Sequence, residues 1–278
     1  MKATIKLFAV LCICAMVFVS CKPEPEPDPE PETGLEGQFM PGKKISSIES
    51  FNVINEDSLQ PYMTKTFEWN GELFYKYTET TGGAVSDIQT FEYDSLNRVV
   101  KIAEEYLGHH LTQNFIYEEK QLVRVNRFEN EELIEMYEFS RTDGKVTEVV
   151  HTQYNEETPE VTSNVLTWDG DNIVQVALHN TNGAVVPTNY TYDDKVNPFQ
   201  GWFYSRMYYG LETIYSAHNV LTTLMETSAA GMTLTTTITH DYEYDADGYP
   251  TKENFNHSTT GGPIPISTNR VSFYTYLQ

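Results

Sequence analysis

The sequence predicts an all-β chain: an antiparallel meander of β-hairpins, about 16–18 strands, curled or closed into a barrel that stands in water and does not span a membrane. Three observations predict it. Apolar and polar residues alternate with the period of a half-buried strand, as in Phe91 and Tyr93 against Thr90 and Glu92. One hairpin pattern recurs along the whole body. No stretch keeps a helical period convincingly beyond two turns.

The repeat is clearest in FEYDSLNRVVKI (91–102) and YEYDADGYPTKE (242–253), which align without gaps. Looser copies place Trp69, Tyr117, Phe139, Trp168, Tyr192 and Tyr215 in the aromatic slot held by Tyr93 and Tyr244. Successive anchors lie 24, 24, 22, 29, 24, 23 and 29 residues apart. That is a unit of about 24 residues, eight times. Each unit reads as two strands around a corner of Asp, Asn and Gly, residues that tolerate left-handed backbone and bond their own main chain. An initial strand around Ile45 to Ile54 and a final one around Val271 to Leu277 complete the meander.

Asp245, Asp247 and Gly248 look like the opening of a calcium loop. Such a loop needs six or more oxygens in a fixed array, with a bidentate carboxylate downstream. The related corners keep no such set, and one carries Glu118-Glu119-Lys120. The acidic residues are expected to turn the chain, so no metal and no cofactor is expected.

Ahead of the body, MKATIKLFAVLCICAMVFVSC has a basic start and a short apolar core, the form of a secretion signal. Val19-Ser20-Cys21 resembles a bacterial lipobox, with Phe18 where Leu is usual. That resemblance implies a signal peptide over residues 1–20 and a lipid on Cys21. Residues 21–42 then read as the lipidated cysteine and an acidic, proline-rich linker, and residues 43–278 as a single domain. KPEPEPDPEPE (22–32) favours an extended polyproline stalk reaching roughly 34 Å. An acidic run just after the cysteine resembles the surface-export signal of Bacteroidetes lipoproteins, which implies an outer-membrane lipoprotein facing the cell exterior, with the periplasmic face as the alternative. Cys12 and Cys14 would leave with the signal. Disulfide frameworks, thiol catalysis and zinc thiolate sites are thereby excluded from the body.

Beyond residue 32 the chain carries 15 Lys plus Arg against 35 Asp plus Glu, a formal charge of −20. That surface repels nucleic acid and anionic lipid. The membrane is expected as a partner only through the N-terminal lipid.

FEYDSLNR and YEYDADGY resemble the YD repeat of Rhs-type and teneurin-type shells. Signal and body together are similar to a family of Bacteroidetes lipoproteins with a porin-like fold, most closely at YTYDDKVNPF (190–199). The resemblance implies a porin-like barrel and a location, and no mechanism.

A true porin fits poorly. About thirteen residues per strand and connection leave little for the long external loops of membrane barrels. A lipid anchor is redundant for a spanning barrel, and the chain ends Tyr276-Leu277-Gln278 without the terminal aromatic such barrels usually show. A soluble barrel of this size encloses more space than side chains fill. The expectation is an aromatic face turned inward around a partly collapsed lumen.

Serine elbows, phosphate-binding glycine loops and His-Glu-x-x-His motifs are absent from the sequence. His109 and His110 stand together in what reads as a loop, a poor chelate. Asp57-Ser58-Leu59 and Asp94-Ser95-Leu96 resemble a short O-glycosylation motif of Bacteroidetes secreted proteins, which makes Ser58 and Ser95 candidate acceptors. Trp202, Phe203, Tyr204, Tyr208 and Tyr209 form the densest aromatic cluster, just after the Asn197-Pro198 break, and are candidate stacking residues for a glycan. The leading expectation is a non-catalytic lipoprotein binding a glycan or an outer-membrane protein partner. The rival is a hydrolase using paired carboxylates on glycan or peptide. A deep cleft holding two carboxylates with perturbed titration favours the rival, and a smooth shell favours the module.

Overall fold

The computed structural model describes residues 36–39, 41–55, 58–154, 158–203, 210–229, 232–262 and 265–278. The chain divides between Pro31 and Glu32, and all described residues belong to the second unit. Cys21, Tyr204, Tyr208 and Tyr209 lie outside them.

Among the described residues there are sixteen strands and one short helix. The first strands are β1 (Ile45–Asn55), β2 (Ser58–Asn70), β3 (Leu73–Thr81), β4 (Ala84–Tyr93), β5 (Val99–Tyr106) and β6 (His109–Glu118). Next come β7 (Gln121–Glu129), β8 (Glu132–Thr142), β9 (Lys145–Gln153), β10 (Glu160–Asp169), β11 (Asn172–His179) and β12 (Val185–Val196). Helix α1 (Leu211–Tyr215) precedes β13 (His218–Ala229), β14 (Met232–Tyr244), β15 (Pro250–Thr260) and β16 (Ile266–Tyr276). Each strand pairs antiparallel with its sequence neighbours, and β16 returns to β1, so the meander closes. Closure removes both sheet edges, which an open sheet of this size would leave free to aggregate. His109 and His110, expected in a loop, begin β6 and are exposed.

The repeat is visible in the ladder. Register shifts fall just before Trp69, Tyr93, Tyr117, Arg141, Trp168, Tyr192 and Tyr244, where each even strand meets the next odd one. These bulges sharpen the twist at one end of the barrel. Two of the corners behind them match in detail. Asp94 Oδ1 accepts the Leu96 and Arg98 N–H groups, both at 2.9 Å. Asp245 Oδ1 accepts those of Asp247 at 2.9 Å and Tyr249 at 3.0 Å. Asn97 and Gly248 occupy the left-handed slot, at φ 60° and 83°. Lys43 reaches Asp245 at 2.6 Å and Asp247 at 2.5 Å, so these carboxylates bend the backbone and hold a lysine.

Two of the eight expected anchors are corrected. The fourth slot belongs to Arg141, because strand β8 runs two residues past Phe139 before its bulge. Tyr215 is no hairpin anchor; it ends α1, inside a long connection between β12 and β13. Losing that hairpin reduces the eighteen counted strands to sixteen.

The aromatic face does turn inward, but the lumen is plugged instead of collapsed. Residues 36–39, 197–203 and 210–217 fold into the bulged end. Trp202 lies within 5.3–6.3 Å, ring centre to ring centre, of Phe39, Phe67, Phe74, Tyr77 and Phe199. Phe203 packs edge-on against Phe115 and Tyr215. At ~25 cal/mol per Å², a buried ring of this size contributes on the order of 4–6 kcal/mol before conformational entropy is subtracted. Glu36 holds the plug. It accepts the Leu122 N–H at 2.8 Å and pairs with the Arg141 guanidinium. Gln38 and Phe39, inside the stretch read as linker, are buried.

Candidate functional site

Above the plug the lumen changes character. Inward positions that carry Phe, Ile and Val near the bulged end give way to buried Asp87, Gln89, Glu104 and Gln113. On one wall the charges are matched: Arg127 pairs with Glu135 at 3.0 Å and Glu104 at 3.3 Å. His151 stacks on Tyr137 at 4.6 Å, and burial pushes its imidazole below the usual range against the pull of Glu135. These ion pairs help fix the shape of the barrel, although Glu104 Oε1 and Arg127 Nε keep no hydrogen-bond partner.

The opposite wall encloses a cavity of about 410 Å³. Strands β1, β2 and β13–β16 supply its sides, and Asn197, Phe199, Glu212 and Thr213 of the plug supply its floor. Asn197 shapes that floor. Its side-chain amide donates to the Thr213 carbonyl at 2.7 Å and the Ser216 carbonyl at 2.9 Å, while its oxygen accepts the Phe199 N–H at 2.9 Å. Phe199 stands between Trp202 at 5.3 Å and Tyr274 at 6.4 Å.

Glu253, His240, Glu212, Lys65 and Arg270 define the chemistry. Glu253 Oε1 lies 2.6 Å from His240 Nδ1, and Glu253 Oε2 accepts the Tyr274 hydroxyl at 2.7 Å. Burial pushes the Glu253 carboxyl up, but His240, Tyr274 and Lys65 together hold it below its ordinary value. Glu212, on α1, is raised instead, chiefly by burial and against the hydrogen bond from Tyr190. The Lys65 ammonium is lowered, first by burial. It stands deep in the barrel, yet the cavity leaves part of it open to solvent. The Arg270 guanidinium lies 4.3 Å from the Tyr62 ring centre and 5.4 Å from that of Phe255. Such a wall of aromatic faces with a few convergent polar groups is the usual form of a small-molecule site.

A larger hollow, about 860 Å³, opens among the bulged hairpin corners on the outer side of the plug. Its charges are already engaged, Arg141 by Glu36 and Lys145 by the Gly170 carbonyl. The lumen cavity is the better candidate.

The residues singled out in the sequence fall elsewhere. Trp202 and Phe203 are 7% and 1% exposed, so packing within the plug, and not glycan stacking from solvent, accounts for them. Ser58 and Ser95 are exposed, at opposite ends of the barrel. The cavity residues carried no local signal: Lys65 and Arg270 are 205 positions apart, and only barrel closure brings their strands to the two sides of β1.

With that geometry in hand, solved structures give a comparison. A porin-like protein from Bacteroides uniformis ATCC 8492 is similar over 87% of this chain and 100% of its own, with a TM-score of 0.56 at 14% identity. The likeness is one of fold. A porin-like protein from Bacteroides vulgatus ATCC 8482 is similar over 84% of this chain and 99% of its own, at 10% identity and a TM-score of 0.46. No family model and no curated protein matches the chain.

Proposed function

We propose that this chain is a lipid-tethered, non-catalytic module of the outer membrane whose barrel stands in water and takes a small polar ligand of saccharide size into its lumen. The observation that carries the reading is the cavity of about 410 Å³, floored by the plug and walled by Tyr62, Tyr242, Phe255 and Tyr274 with His240, Glu253, Lys65 and Arg270 among them. A sugar offers an apolar ring face and a rim of hydroxyls, which such a lining matches.

The outer face supports a water-facing barrel. Cross-strand ion pairs join Lys76 to Glu68, Lys101 to Glu92, Arg124 to Glu138 and Lys252 to Glu243 on outward positions. Glu49, Glu226 and Asp241 add exposed outward acids. On a lipid-facing strand each cation near the midplane costs about 2–4 kcal/mol. The plug also stands across the path that a conducting pore would need. Lipid on Cys21 supplies the membrane attachment, and glycosylation at Ser58 or Ser95 fits their exposure.

Glu212 and Glu253 favour a second reading, since two carboxylates pushed in opposite directions within one cavity are the pattern of an acid and a base or nucleophile. One experiment separates the two. The mature protein is titrated with neutral and acidic mono- and disaccharides while emission is followed, because Trp202 touches Phe199 on the cavity floor. Saturable shifts without turnover support the binding module. Hydrolysis of any glycoside, lost in Glu212→Gln and Glu253→Gln, would establish the enzyme, and a flat response across the panel counts against both.

A further inference from the structure

The charge inventory of the barrel singles out two residues. Acids outnumber bases by 40 to 18 in this chain, so a cation without a carboxylate partner is the exception. Of the fourteen lysines and arginines among the described residues, eleven lie within 4.0 Å of a carboxylate oxygen. Lys120 also has a partner. The remaining two are Lys65 and Arg270, and both line the lumen cavity.

The carboxylates that act on Lys65 through their field are Glu79, Asp87 and Glu253. Each is already engaged. Glu79 accepts the Tyr77 hydroxyl at 2.9 Å and the Ser86 hydroxyl at 3.0 Å. Asp87 accepts the Gln89 amide at 2.7 Å, and Glu253 is held by His240 and Tyr274. Arg270 keeps a buried Nε without a hydrogen-bond acceptor, while Tyr62 and Phe255 fix the plane of its guanidinium. Leaving two half-buried cations unpaired inside the lumen is costly, and a structural role would be met at lower cost by apolar side chains.

We infer that Lys65 and Arg270 form an anion clamp, and that the lumen selects a carboxylated sugar of the uronic-acid type over its neutral counterpart. The inference rests on the lumen-binding reading above and adds the ligand's charge to it. The ligand carboxylate would take the fixed donor edge of Arg270 in a charge-assisted pair, with the Lys65 ammonium as the second contact. Its ring would lie against the remaining aromatic wall, Tyr242 and Tyr274.

The test is calorimetric titration of the mature protein with matched pairs at fixed ionic strength: glucuronate against glucose, and galacturonate against galactose. The clamp predicts at least tenfold tighter binding of each uronate, with the preference abolished in Lys65→Met and in Arg270→Gln proteins that melt no lower than the parent. Equal binding of acid and neutral sugar, or binding of the neutral sugar alone, overturns the clamp and leaves the lumen reading standing. Binding of neither, with cavity-floor emission unmoved, overturns the lumen reading and the clamp with it.

Discussion

Trp168 donates its indole N–H to the carbonyl of Val146 at 2.7 Å, tying the end of β10 to the start of β9. The same bond recurs around the barrel, from Trp69 to Ile45 at 2.7 Å, Tyr117 to Val99 at 2.8 Å and Tyr276 to Pro250 at 2.8 Å. Tyr93 makes it to Phe74 and Tyr192 to Ile173. An aromatic is thus a latch across six of the eight strand pairs; Arg141 takes the slot in one of the others, and the Tyr244 hydroxyl donates to Asp193 in the last.

Removing one latch should therefore cost little more than its hydrogen bond. Tyr117→Phe keeps the ring and leaves the Val99 carbonyl without its partner, so a loss of about 1 kcal/mol is expected in urea unfolding. A loss below the error of the measurement would mean that water replaces the hydroxyl.

Glu36 should matter more, because one carboxylate serves Leu122, Arg141 and Tyr215 at the plug. Glu36→Gln is expected to cost roughly 2 kcal/mol, the range for charge-assisted hydrogen bonds. Its signature is local: faster amide exchange in residues 36–39 and 197–203, with the strands away from the plug protected as before.

Much of this fold is legible in the sequence, because a hairpin repeat is a local code. Asp94 and Asp245 turn the chain by bonding backbone two and four residues on, which a short window contains. The plug is not legible in that way. Trp202 and Phe203 stand out in the sequence only as a dense aromatic cluster, and what they pack against is hidden because their partners, Phe67, Phe74 and Phe115, are distant in the chain. Tyr215 shows the opposite error, a residue that fits the repeat by spacing yet lies on a helix whose Leu211 and Ile214 bury against the core. The cavity was hidden for a third reason. Lys65 comes to Glu253 and Arg270 only when β16 closes onto β1.

The two cavity carboxylates should respond to pH with opposite signs. Glu253 has a lowered folded value, so its contribution is present above the unfolded value near about 4.3 and fades as pH falls through the folded one. Glu253→Gln should therefore destabilise at neutral pH and converge with the parent in acid. Glu212 has a raised folded value, and its ionisation opposes folding as pH rises through that value. Glu212→Gln should be neutral in acid and stabilising at neutral pH, measured by urea unfolding across the range.

Lys65 should lower stability in the unliganded protein. Burial opposes its charge, Arg270 adds to that, and Glu79, Glu253 and Asp87 only partly offset it. Lys65→Met is expected to raise stability by about 1 kcal/mol, visible as a higher melting temperature. A destabilised Lys65→Met would assign the lysine a structural role.

The charged outer face of this plugged barrel should meet water and not lipid. The direct measurement is amide exchange on the mature chain carrying Cys21→Ser, first in plain buffer and then with lipid vesicles. The account predicts a monodisperse β-sheet protein that needs no detergent and exchanges identically with and without vesicles. Solubility only in detergent, with the outward positions around Glu49, Glu138 and Asp241 protected by lipid, would contradict it.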